Sequence, residues 1–404
     1  MNATRKFWQF PWSFGESLLI SAALFVTGWM IQSVTGSQIP APSFPVNLYM
    51  LLGYMLLLVL LQGFGSKVKM IQWLSSVPAA VASITLFGGL SLVMGLVVQS
   101  PRAAPEDIFH NITASWIYLF SLMFLLTVLG MTVIRRSRPF NGRNLWFLLN
   151  HLGLWVVLAG AAFGAGDINR YMMETRLNEP VWLASDEQGR SVEPGIAIEL
   201  QRFTVDYFAP EILLYDTKAR KPVEKFKPVP ADSAGISFSA GGWQVTTGEV
   251  HRSAVAVNEV FRPFNGPGGV PAVFLKAVKD GANLEGWINP GNEINPERYL
   301  MLDDTQGLVL SFPKPKYYRS DIKVYSKTGN TYRDSVAVNE PAYIEGWRIY
   351  QVSYDDAMGA WSQTSTVELN RDPWLPVVYA GLFMMIAGAL SLFFRGIRWK
   401  GQQS

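Results

Sequence analysis

Three histidines and no cysteines narrow the chemistry open to this chain. Without thiols it has no disulfides, zinc–thiolate sites, iron–sulfur ligands or thiol nucleophiles, and it cannot attach haem covalently to itself. No Walker A loop, GxSxG elbow, HExxH pair or facing catalytic carboxylates occurs, so no catalytic residue is assigned. The residue that stands out is His151, in LWFLLNHLGLWVVLAGAAFGAG. Counted from Leu145 at the α-helical rise, it lies about 9 Å inside an apolar run. An ionisable group at that depth is a functional candidate, and neutral imidazole is a good ligand for haem iron. The plainer alternative is a histidine hydrogen-bonded to a neighbouring helix. His110 lies in SPRAAPEDIFHNITAS beside Glu106 and Asp107, a setting that suits a solvated loop better than a metal site. His251 reads as ordinary surface in a strand-like run. Neither reaches His151, so a bis-histidine haem there needs a second protein. Met94 and Met384 also carry a possible iron ligand, although methionine in such segments mostly packs.

The elements that must position His151 follow from composition. Of the 404 residues, 49% are apolar and only 16% charged, against about 25% charged in a soluble domain. The deficit is local. Residues 166–373 hold 28 of the 31 acidic and 22 of the 34 basic residues. The remainder contains six apolar runs, at about 16–35, 46–64, 77–99, 116–134, 145–165 and 374–394, each long enough to cross a bilayer as a helix. Glu16 opens the first and is expected at the interface; no other Asp, Glu, Lys or Arg lies inside a span. The first run is long and lacks a small-residue cleavage site, so it reads as a retained anchor. Arg5, Lys6, Lys67, Lys69, Arg135, Arg136, Arg138, Arg143, Arg395, Arg398 and Lys400 fall on one side, and only Arg102 in the short loops of the other. Lys and Arg collect on the cytoplasmic side. Both termini are therefore expected there, with 166–373 outside. Trp8, Trp12, Trp73, Trp116, Trp374 and Trp399 sit near span ends, as interfacial aromatics do. Gly160 and Gly164 form a GxxxG pair, and Gly88, Gly89 and Gly95 lie in the third span. These glycines permit close helix packing, most simply within the chain. A net charge of +3 makes no case for nucleic acid.

The 166–373 insert predicts an all-β domain. In GIAIELQRFTVDYF, Ile196, Ile198 and Leu200 alternate; the phase then slips to Phe203, Val205 and Tyr207, as a bulge allows. DIKVYSKTGNTYRDSVAVN reads as two strands around Thr328-Gly329-Asn330, and GWRIYQVSYD as a further strand. Pro and Gly clusters at 263–271 and 289–296 mark loops. The predicted organisation is five spans in 1–165, the extracytoplasmic β domain in 166–373, and the last span with a cytoplasmic tail in 374–404.

Several of these segments together resemble the ResB/CcsB family of cytochrome c biogenesis proteins. The densest likeness is PKYYRSDIKVYSKTGNTYRDSVAVNEPAYIEGWRIYQVSYD at 315–355. It contains Tyr318, Ser320 and Asp321; Val338, Asn339 and Pro341; and Gly346, Trp347, Ile349, Tyr350 and Gln351. FTVDYF (203–208), RDPWLPVVYAGLFMMIAGALSLFF (371–394), NHLGLWVVLAGAAFGAGD (150–167) and GSQIPAP (36–42) resemble other family segments, in the right order. Many members have about four spans where six are read here.

The resemblance implies the ResB half of a haem export and cytochrome c haem-ligation complex, in a bacterial cytoplasmic (inner) membrane. The tryptophan-rich haem-handling segment of the ResC/CcsA partner is missing from this sequence. It further implies that His151 is an axial ligand to a transiently bound haem b shared with that partner, and that apocytochrome c is the acceptor. Any synthase chemistry belongs to the complex, since the chain is not catalytic alone. A membrane scaffold that binds no haem is the main alternative. A solute-transporter subunit is less favoured, because the spans lack buried charge pairs and inverted repeats.

Overall fold

Every apolar run folds as a helix, and short polar residues mark where several begin. The computed structural model describes residues 7–400 except 37–38, 66, 101–103, 105–106, 139 and 141–143; for 392 and 394–400 it describes the backbone alone. Arg5, Lys6, Ser37, Gln38, Arg102, Glu106 and Arg143 thus lie outside the described residues. So do the side chains of Arg395, Arg398, Trp399 and Lys400. The helices are α1 Phe14–Thr35, α2 Val46–Phe64, α3 Lys69–Leu74, α4 Val77–Leu96, α5 Trp116–Arg136, α6 Leu145–Gly164 and α7 Leu375–Lys400. Ser76 and Ser115 cap α4 and α5, accepting from the amides of Ala79 and Tyr118. Five of the helices, α1, α2, α4, α5 and α6, are long and apolar enough to cross a membrane. In α7 the described apolar stretch runs Leu375–Ser391. The chain is a membrane protein, with a helix over each of the six predicted runs.

The chain divides into two compact units: residues 1–170 with 187–189 and 370–404, and residues 171–186 with 190–369. In the helical unit, α5 is the most enclosed helix, and α1, α2, α4 and α6 pack on it. Polar contacts show how the helices alternate. Trp73 of α3 donates to Ser17 near the start of α1 at 2.8 Å and stacks on Phe124 of α5, with ring centres 5.8 Å apart. At the other end of the bundle, Ile39 donates to the Ala114 carbonyl just before α5.

Two expectations change, and a third residue gains its partners. Glu16 stands in the first turn of α1, at the end of its run as expected, and is enclosed by its own cap. It is 2% exposed and accepts from the amides of Ser13 and Trp8 and from the Ser13 hydroxyl, forming a capping box for α1. Those donors replace the water that a buried carboxylate would lose. Trp73 is likewise a core residue, 2% exposed, because its indole N–H finds Ser17 inside the bundle. Gly88, Gly89 and Gly95 make no close helix contact: a Cβ there would meet nothing within 4 Å. The GxxxG pair does pack within the chain, against α7. A Cβ on Gly160 would touch Val377 and Val378, and one on Gly164 would strike Trp374 at 2.5 Å.

The second unit contains four sheets. One runs in the order Ala342–Ile344, Trp347–Tyr354, Thr364–Arg371, Asn169–Arg176, Ala184–Ser185, Ser191–Val192. Another runs Thr331–Ala337, Pro315–Ser326, Ile196–Tyr207, Pro180–Val181, antiparallel throughout. Ile198, Ile322 and Val324 of this sheet share one core with Ile349, Val367 and Leu369 of the first. Two further antiparallel sheets, built around Trp243–Val257 and Glu211–Asp216, share a second core that includes Val245, Leu275, Ile212 and Leu308. The predicted bulge is present. Arg202 pairs with Asp321 and Leu200 with Ile322, so Gln201 is the extra residue. Ile196, Ile198 and Leu200 point into the core before it, and the side-chain phase reverses after it. Thr331–Ala337 pairs back on Pro315–Ser326 across the predicted turn, where Gly329 takes φ 87°.

Candidate functional site

His151 lies six residues into α6, as counted from the sequence. Its Nδ1 is 2.9 Å from the carbonyl oxygen of Phe147, one turn earlier, and its ring stacks on Phe147 with centres 3.8 Å apart and planes 23° apart. A carbonyl only accepts, so Nδ1 carries the proton. The neutral ring then has its lone pair on Nε2. The hydrogen bond stays within α6 and does not reach a neighbouring helix, and no other hydrogen bond is made by the ring among the described residues. Metal-ligating histidines commonly hold their second nitrogen in this way, with N–H donated to a carbonyl to fix tautomer and ring plane. The donor set therefore suits an axial position on haem iron.

The face of α6 away from His151 is set by glycine. A Cβ on Gly153 would lie 2.6 Å from the Gly381 oxygen and from the Met385 nitrogen of α7. Asn150 donates to the Met385 carbonyl at 3.1 Å. On the α5 side, Trp155 donates to the Leu126 carbonyl at 3.1 Å. His151 is thus mounted on a helix held from two sides. Beside it, the Arg136 guanidinium at the end of α5 lies over the Phe147 ring, 5.3 Å from its centre.

A second constellation, at the opposite end of α6, was not singled out from the sequence. Asp167 accepts from the Phe44 amide at 2.7 Å, from Asn47 Nδ2 at 2.7 Å and from Trp374 Nε1 at 2.7 Å. Asn47 is fully buried and also donates to the Phe163 carbonyl. A Cβ on Gly166 would meet the Pro42 oxygen at 2.4 Å. Asp167 thereby joins the loop before α2, the start of α2, the end of α6 and the start of α7. The sequence signal was the acidic residue at the end of an uncharged run, together with Pro42 and Trp374 in two of the family-like segments. Asp167→Ala should leave three donors unpaired, at about 1–3 kcal/mol for each that is buried. We expect the protein in detergent to lose about 2–4 kcal/mol, read as a lower midpoint of thermal unfolding. An unchanged midpoint would show that the cluster does not hold the helices.

The remaining sequence candidates separate in space. His110 is half exposed, and its Nδ1 is 2.9 Å from both oxygens of Asp107. That hydrogen bond holds the Asp107 carboxyl below its ordinary range. Among the described residues no group of three His, Asp or Glu could hold a metal, and Glu106 lies outside them. His110 precedes the start of α5 and Arg136 ends it; 21 residues of helix, about 30 Å, lie between. His251 is not ordinary surface. Its side chain is 15% exposed and stacks on Trp287 at 5.4 Å, because the long strand Trp243–Val257 turns it against the sheet. Nε2 is 3.4 Å from a Glu249 oxygen but poorly aimed, and makes no hydrogen bond. Met94 lies on α4, which packs on α1 and α5, and Met384 on α7.

Ser320, a family-like residue of the β unit, bridges two of its sheets, and Gln351, another, completes the network from the second sheet. Ser320 donates to Ser365 at 2.8 Å, Gln351 Nε2 donates to the same hydroxyl at 2.8 Å, and Thr175 donates to the Ser365 carbonyl. Ser320, Ser365 and Thr175 are fully buried. Such a closed polar network specifies how two sheets face each other. Asn339 takes φ 63° in the tight turn between Ala337 and Glu340, a conformation asparagine tolerates better than most residues.

Residues 142–366 match the ResB-like family, 225 of the 404 positions, a stretch that includes His151 and most of the β unit. No curated protein matches the chain.

Proposed function

Because the chain belongs to the ResB-like family, whose members work in cytochrome c biogenesis, we propose that it is the membrane subunit of a haem export and haem-ligation complex. The observation that carries this reading is the state of His151. It sits inside the family-matched span, its N–H is spent on Phe147, and its Nε2 is left to bind a metal. Haem b is the cargo, held transiently between His151 and a histidine of a ResC/CcsA-like partner. His110, the one other histidine of the helical unit, is at the far end of α5. The β unit supports the partner or the apocytochrome whose CxxCH thiols receive the haem. The covalent step is assigned to the complex of the chain with its partner.

The setting is a bacterial cytoplasmic membrane, with both termini cytoplasmic and the β unit on the periplasmic side. Eleven Lys and Arg against one support that orientation. It places His151 in the cytoplasmic half of the bilayer, where haem made in the cytoplasm would enter.

The test is the absorption spectrum of the chain purified with its partner from cells that make cytochrome c. The expected result is a bound, six-coordinate haem. A pure, folded complex without haem would overturn the reading and leave a scaffold that anchors a β unit.

A further inference from the structure

We propose that Arg136 selects the carboxylate end of the haem, pairing with a propionate while the iron meets His151. The proposal rests on the ligand role of His151. Its geometry begins with the Phe147 ring, which His151 contacts at 3.8 Å between centres and over which Arg136 lies at 5.3 Å, so the guanidinium carbon is within about 9 Å of the imidazole centre. That separation is of the order of the reach from a haem iron to its own propionates.

The charge balance points the same way. Arg136 is exposed and makes no ion pair among the described residues. Between Asp107 and Asp167 the sequence contains no acidic residue at all. The Arg136 guanidinium carbon lies 5.3 Å from the Phe147 ring centre, and among the described residues its N–H donors make no hydrogen bond. A planar fork of N–H donors matches a carboxylate in two-point geometry, and such a pair strengthens where water is thin. A cation at the C-terminal end of α5 also favours the helix dipole. Arg135 and Arg138 serve that purpose equally, whereas among the described residues only Arg136 lies over the Phe147 ring beside His151. Arg135 is therefore the control.

The experiment titrates the purified complex with haem and with haem dimethyl ester, whose propionates are blocked. Absorption reads binding, independently of cytochrome c yield. Wild type should prefer haem by about tenfold or more, the worth of a charge-assisted hydrogen bond. Arg136→Gln should weaken haem binding by a similar factor and bind both compounds alike. Arg136→Lys should recover part of the preference, and Arg135→Gln should keep it. A preference unchanged in Arg136→Gln would overturn the proposal. If instead His151→Ala binds haem as wild type does, the ligand role fails first and this proposal falls with it.

Discussion

A His151→Ala variant, purified with its partner, should show only the haem absorption that the partner carries alone, at an undiminished yield of folded complex. Both halves of that expectation come from the hydrogen bonding. Nδ1 donates only to the carbonyl of Phe147, on its own helix. Removing the ring leaves no donor of a neighbouring helix unpaired, and alanine favours the helix by a few tenths of a kcal/mol. The loss of the Phe147 stack is small beside the packing of α6 through Trp155 and Gly153. A fall in haem therefore reports ligation and not unfolding. Cytochrome c yield should fall with it. If haem content and yield both match wild type, His151 is not the ligand and the scaffold reading gains.

Gly153→Leu should have the largest effect on stability. At Gly153, Gly381 and Gly388 the backbones of α6 and α7 touch. A Cβ on Gly381 would lie 2.8 Å from the Gly153 oxygen, and one on Gly388 would lie 2.5 Å from the Asn150 nitrogen. No rotamer relieves a clash with backbone, so leucine must push the helices apart. The Asn150 hydrogen bond to Met385 breaks with them. Overpacking alone costs about 1–3 kcal/mol, and parting two helices adds to it. The expected result is little or no monodisperse protein by size-exclusion chromatography in detergent. Gly89→Leu is the internal contrast: its Cβ meets nothing within 4 Å, and it should be tolerated. Equal behaviour of the two variants would mean that α6 and α7 are not closely paired.

Much of this protein is legible without coordinates. Uncharged runs of about 20 residues read as spans, because a helix of that length crosses the hydrocarbon core with its backbone hydrogen bonds satisfied within itself. The phase slip at Leu200 marks the bulge at Gln201, since a strand has a period of two and an extra residue inverts its faces. The turn at Gly329 follows from residue types that tolerate positive φ. The place of His151 six residues into α6 follows from counting.

Contacts between distant segments were beyond reach. Trp73 looked interfacial, because hydropathy ranks a residue by type and ignores its partners. It is buried by a hydrogen bond to Ser17, 56 positions away, whereas the Ser13–Glu16 capping box is a local Ser-x-x-Glu signature. The glycines show the same limit. Gly160 and Gly89 both permit close helix packing by type, and only the position of α7 shows which of them is used.

The sequence by itself determined the elements, their membrane character and the one span that carries a histidine, because these depend on local composition and periodicity. Tertiary structure alone decided the tautomer of His151, its neighbour Arg136 and the Asp167 cluster that joins residues 44, 47, 167 and 374. Hydrogen-bond direction and charge pairing act over about 3 Å in space, whatever the separation along the chain.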